Sequence, residues 1–166
     1  RDVAVARPLL DAATVKGDVR ESTPPHTRTF TSPHGATPRT QLLSNGRYAV
    51  MITAAGSGYS RWKDIAITRW REDATKDDTG SFIYLRDVLS SERWSAGYQP
   101  TAETPESYQV SFAEDRAEFM RRDGAIATRL EVVVSAEDDA EVRTNRDPLA
   151  RPGVRPVRRS AEEIER

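Results

Sequence analysis

Between residues 41 and 142 apolar and polar side chains alternate in short runs, with turn-forming residues between the runs. Alternation with a period of two puts successive side chains on opposite faces of a pleated strand, whereas a helix repeats its apolar positions every three or four residues. Tyr108, Val110 and Phe112 alternate with Gln109 and Ser111. Ile126, Leu130, Val132 and Val134 share one face while Arg129 and Glu131 point the other way. Each pattern predicts a strand with one dry and one wet face. Shorter runs rich in aromatic or β-branched residues, over 65–71, 81–87 and 93–96, predict further strands.

Two hairpins stand out. Asn45-Gly46 separates Leu42-Leu43-Ser44 from the run that begins at Arg47, and Asp123-Gly124 separates 116–122 from 125–134. Asn-Gly supplies the positive φ angles of a type I′ turn, whose twist suits two antiparallel strands. No stretch of ten or more residues in this region keeps apolar side chains at helical spacing. The fold class expected is therefore all-β, an antiparallel β-sandwich with irregular N- and C-terminal tails. Residues 1–40, with Pro8, Pro24, Pro25, Pro33 and Pro38, are expected to be a linker or lead-in. Residues 41–143 are the sandwich, and 144–166 an Arg- and Pro-rich loose tail in which Ser160-Ala161-Glu162-Glu163 could cap a helical turn.

Composition narrows the function classes. The 166 residues suit one modest core, and 25 basic against 26 acidic side chains give a net charge of -1. No bulk field draws nucleic acid or an anionic membrane. The chain has no Cys, which excludes disulfide scaffolds, thiolate zinc sites and cysteine nucleophiles, and a cytoplasmic setting is expected. It opens at Arg1 rather than Met, and a fragment is the expectation.

The densest chemistry lies over 56–73, where Gly56-Ser57-Gly58 leads into Tyr59, Arg61, Trp62, Asp64, Arg69, Trp70 and Arg71. A sugar site needs this mixture, because a pyranose stacks its apolar face on an aromatic ring while its hydroxyls need donors and acceptors. These seven residues are the candidate substrate-binding set; an equally weighted reading puts Trp62 and Trp70 in the core and pairs Arg69 with Asp64 or Glu72. For Trp94 and Tyr98 core packing is expected. No catalytic residue, metal site or cofactor is predicted. The glycines lack the spacing of a dinucleotide or phosphate loop, and His26 and His34 both lie in the lead-in, away from Ser57 and Ser60. Asp77-Asp78 and Glu137-Asp138-Asp139 lack calcium-loop spacing and are expected to be solvated turns.

The words Leu42-Leu43-Ser44-Asn45-Gly46-Arg47-Tyr48, Tyr59-Ser60-Arg61-Trp62 through Ile67-Thr68-Arg69-Trp70-Arg71, Trp94-Ser95-Ala96-Gly97-Tyr98-Gln99-Pro100 and Phe112-Ala113-Glu114-Asp115-Arg116-Ala117-Glu118-Phe119 resemble the amino-terminal supersandwich domain of family 94 glycoside phosphorylases. The similarity runs over about residues 38–143 and is greatest to the phosphorylase-like part of cyclic β-1,2-glucan synthases. It implies a parent glycosyltransferase or glycoside phosphorylase, anchored for the synthase in the bacterial inner membrane. The sandwich would be non-catalytic, packing on an (α/α)6 catalytic barrel in cis, shaping the substrate entrance for a β-glucan or glucoside and joining in homodimer contacts. The alternatives are a free carbohydrate-binding module and a purely structural or dimerising sandwich. The family pattern carries a further apolar strand before a Thr-Asn turn, whereas here Thr144-Asn145 follows Arg143 at once. A missing strand, an exposed edge and a marginal, aggregation-prone chain are the resulting expectations.

Overall fold

The computed structural model describes residues 26–69 and 77–148. Among these residues the regular structure is entirely strand: β1 (Arg28–Phe30), β2 (Thr40–Ser44), β3 (Tyr48–Thr53), β4 (Gly58–Trp62), β5 (Ile65–Ala66), β6 (Tyr84–Arg86), β7 (Arg93–Ser95), β8 (Ser107–Phe112), β9 (Arg116–Asp123), β10 (Ile126–Val134) and β11 (Glu141–Arg146). One sheet runs β1-β8-β9-β10-β11 and a second β2-β3-β4-β5, while β6 and β7 form a separate ribbon. All pairings are antiparallel.

The alternation explains the core. Tyr108, Val110 and Phe112 of β8, Ala117 and Phe119 of β9, and Leu130 and Val132 of β10 meet Leu43, Tyr48, Val50 and Ile52 of the second sheet. The expected antiparallel sandwich is thus the fold. Phe112 lies edge-on to Phe119 at 6.4 Å and to Phe30 at 5.7 Å, the orientation that ring quadrupoles favour. Trp94 is buried, as expected of a core residue, and Tyr98 is half-buried against the same cluster with His34 edge-on at 4.7 Å.

Three expectations change. First, Arg28-Thr29-Phe30, inside the expected lead-in, pairs with β8, because Phe30 finds an apolar place beside Phe112. Second, Thr144-Asn145 is no turn: β11 continues through both, Asn145 is buried opposite Leu130, and β11 pairs with β10 from Arg129 to Val134. The rest of the expected tail, including the 160–163 turn, lies outside the described residues. Third, both hairpin turns sit one residue further on than the dipeptides suggest. Asn45 N–H donates to Tyr48 O, so Gly46 (φ 88°) and Arg47 are the central pair. Asp123 pairs with Ile126 around Gly124 (φ 58°) and Ala125. Only the first central residue has positive φ, which is the II′ pattern rather than I′.

The backbone is closely packed around the Gly56-Ser57-Gly58 turn. A methyl group on Gly58 would collide with the Met51 carbonyl oxygen across the β3–β4 pair, and one on Gly80 would come within 3.1 Å of Gly58 N. Close backbone approach, not mobility, is what these glycines provide. Gly58→Ala is expected to destabilise the chain by about 1–3 kcal/mol by forcing β3 and β4 apart, measured by urea unfolding.

Candidate functional site

The predicted patch is divided by the pleat of β4. Gly58 and Ser60 are buried, whereas Tyr59 and Arg61 face outward. Tyr59 stands opposite Met51 and Arg61 opposite Ala49 and Ala66; Trp62, on the other face, stands opposite Tyr48 and Ile65. Lys63 (φ 51°) and Asp64 form the tight tip joining β4 to β5, so Asp64 is exposed. The expected 65–71 strand is shorter than its composition suggested: Ile67 and Thr68 N–H both donate to Ser60 O, two residues against one, and the ladder ends. Arg69 is exposed beyond this point, and the described ion pairs do not include one between Asp64 and Arg69. Trp70 and Arg71 lie outside the described residues. Leu42, 60% exposed, continues the Met51–Tyr59 row, and Ile65 and Ile67, each 55% exposed, flank the β5 edge. The outer face of this sheet therefore offers aliphatic, aromatic and cationic groups together.

Trp62 is committed elsewhere. Its ring packs on the core, its indole N–H donates to Asp139 Oδ2 at 2.6 Å, and the Lys63 ammonium lies 4.7 Å from its centroid. Asp139 also accepts from Arg47 Nε at 2.6 Å, and Arg47 Nη2 donates to Glu137 O at 2.9 Å. Asn45 Nδ2 donates to Ser135 O and Asp138 O at 2.8 and 2.9 Å. Together these bonds latch the β10–β11 loop onto the β2–β3 turn. Glu137, Asp138 and Asp139 are exposed in a turn, as their composition suggested, but Glu137 and Asp138 accept through their backbone carbonyls and Asp139 through its carboxylate, which ties that turn to the other sheet.

The indole N–H, and then Arg47, hold the Asp139 carboxyl below its ordinary range. A depressed carboxyl contributes stability that is present above the unfolded-state value and lost as pH falls through the folded one. Native chain minus Asp139→Asn is therefore expected to show a change in Trp emission only on acidification below the usual aspartate range. A difference centred at neutral pH would contradict the latch.

Behind β4 lies a polar network that alternation alone did not reveal. Ser60 Oγ donates to Glu141 Oε2 at 2.7 Å, Arg143 Nε donates to Glu141 Oε1 at 2.9 Å, and Arg143 Nη1 donates to Ser81 O at 2.8 Å. Burial, and then the Glu141 charge, push the Tyr48 phenol up. Ser57 Oγ donates to Asp77 and is bonded to Thr53 Oγ1 at 2.6 Å, so Asp77 too is more than a solvated turn. The signal available in advance was that Glu141 and Arg143 are two apart and share a strand face.

These carboxylates are occupied as structural acceptors. Among the described residues no group of three or more His, Asp or Glu is placed to hold a metal ion, and no helix is long and apolar enough to cross a membrane. A cavity of about 820 Å³ lies elsewhere, with His34, Tyr98, Ser107, Met120 and Arg122 in its lining, and none of Tyr59, Arg61, Trp62, Asp64 or Arg69 lines it.

The model of the family described as glycosyl hydrolase 94, supersandwich domain, matches residues 24–146. The cyclic beta-(1,2)-glucan synthase NdvB of Rhizobium meliloti (strain 1021) is 41% identical over 119 residues, covering 72% of this chain and 4% of that protein. The N,N'-diacetylchitobiose phosphorylases of Vibrio proteolyticus and Vibrio furnissii are 29% and 28% identical over 118 and 131 residues, covering 68% and 71% of this chain and 15% and 16% of theirs. The chain thus spans a small part of the length of the curated relatives it matches.

Proposed function

Since this chain belongs to the glycosyl hydrolase 94 supersandwich domains, we propose that it is a non-catalytic sandwich of a carbohydrate-active enzyme, with the outer face of β2–β5 as its docking surface. It packs on an (α/α)6 catalytic barrel in cis and holds one side of the entrance through which a β-glucan or glucoside passes. The observation that carries this reading is the division of the patch. Trp62, Asp139 and Glu141 bond across the two sheets, while Leu42 and Arg61 are exposed on the outer face, with Tyr59 half-buried in the row between Met51 and the edge, and Ile67 is exposed just beyond β5. An apolar face rimmed by charge suits a protein interface better than a site of bond cleavage. The β-1,2-glucan named for the relative at 41% identity is the first carbohydrate to test.

In the long enzyme, Arg61→Glu combined with Ile67→Asp is expected to lower turnover by about tenfold or more, as disrupted interface anchors do, while the isolated chain keeps its melting behaviour. Trp emission of the isolated chain is expected to stay flat when β-1,2-glucan is added. Saturation at sub-millimolar glucan, abolished by the same substitutions, would instead make the chain an autonomous carbohydrate-binding module. Self-association lost with those substitutions would make the face a homodimer contact.

A further inference from the structure

Two structural demands meet at neighbouring positions of the β2–β3 turn. Position 45 needs a side chain that accepts and donates at once: Asn45 Oδ1 accepts from Arg47 N and Tyr48 N at 2.9 and 2.8 Å, and Nδ2 donates to Ser135 O and Asp138 O. Position 46 needs positive φ, and Gly46 supplies it. The result is an Asn-Gly dipeptide, in which the missing side chain leaves the following amide nitrogen unhindered toward the Asn carbonyl carbon.

We infer that Asn45 is a latent self-modification site, held shut by its four hydrogen bonds, whose deamidation releases the β10–β11 loop. In the reaction the Gly46 nitrogen gives up its proton to solvent base and attacks Asn45 Cγ. The Cγ–Nδ2 bond breaks, ammonia leaves with a proton, and a succinimide ring closes. Water then adds to either ring carbonyl, giving aspartate or isoaspartate. In the folded chain both reactants are restrained: the carboxamide is held at both ends, and Gly46 N–H donates to Ser44 Oγ at 3.0 Å. Attack requires the side chain to leave its partners, so the rate follows the population of the open latch. The consequence is a change of sign at one atom. A carboxylate at position 45 retains the two acceptor bonds but turns an oxygen toward Ser135 O and Asp138 O, beside Asp139. Isoaspartate also lengthens the backbone within a turn of set register.

The test is to age the full chain in mildly alkaline buffer and follow the mass gain by peptide mapping, with and without denaturing urea, checking by circular dichroism that the first sample stays folded. The folded chain is expected to convert at least about tenfold more slowly than the unfolded one, with Arg47→Ala, which removes the ties to Asp139 and Glu137, in between. Equal rates in a sample that remains folded, or native-like ageing of Arg47→Ala, would overturn the inference. Asn45→Asp should speed hydrogen exchange across 135–140 and lower the melting temperature; unchanged exchange there would remove the consequence claimed for the modification.

Discussion

Replacing Arg121 by Met is expected to destabilise the sandwich by about 3–5 kcal/mol, because it removes one partner of a buried, fully bonded charge pair. Alternation along β9 puts Arg121 on the same face as Ala117 and Phe119, and its side chain is 0% exposed. The guanidinium grips Asp123 through two bonds of 2.6 and 2.7 Å and reaches Gly97 O at 2.7 Å and Glu103 O at 3.1 Å. It therefore ties the segment after β7 to the middle of the five-stranded sheet. Beside it, Tyr108 donates its hydroxyl to Ala54 O at 2.8 Å, and burial pushes that phenol far up, so both groups anchor loops from the inner face. Methionine fills much of the space but leaves two carbonyls and the Asp123 carboxylate, 19% exposed, without their donor. Arg121→Lys returns the charge without the planar fork and is expected to recover only part of the loss. Urea unfolding with an unchanged slope and a lower midpoint is the expected readout; a loss below about 1 kcal/mol would mean the pair is no more than a surface ion pair in energy.

Phe119→Ala is expected to cost a similar about 3–5 kcal/mol, by lost transfer energy and by the cavity left between the sheets. Phe119 is fully buried, pairs with Val110 and Leu130 on either side and meets Phe112 edge-on. Against a total stability of about 5–15 kcal/mol, either substitution removes a large share. Phe119→Leu should cost clearly less. Trp62→Ala should also cost less, since that ring is only half-buried. A Trp62 loss as large as that at Phe119 would place Trp62 in the centre of the core, contrary to its geometry.

The inner faces of β8, β9 and β10 were legible from the sequence because their alternation is long enough to set register, and the hairpins because Gly46 and Gly124 mark them. β1 was not legible: three residues among prolines carry too little periodicity, and only Phe112, distant in sequence, gives Phe30 a reason to be buried. The turn types were misplaced by one position because Asn45 spends its side chain capping the turn instead of entering it. The chemistry was hardest to read. Aromatic and arginine density over 59–69 located an exposed edge, but it could not tell that Trp62 turns inward to Asp139, 77 positions away. Nor could it tell that Arg121 is buried, because a charged side chain at an inward position is predicted by alternation and opposed by composition.

Amide hydrogen exchange over residues 58–69, measured in the isolated chain and in the long enzyme, tests the docking of the β2–β5 face most directly. The account predicts strong additional protection of this segment in the long enzyme, with little change in the buried strands β8–β10. Identical exchange in the two proteins would contradict it.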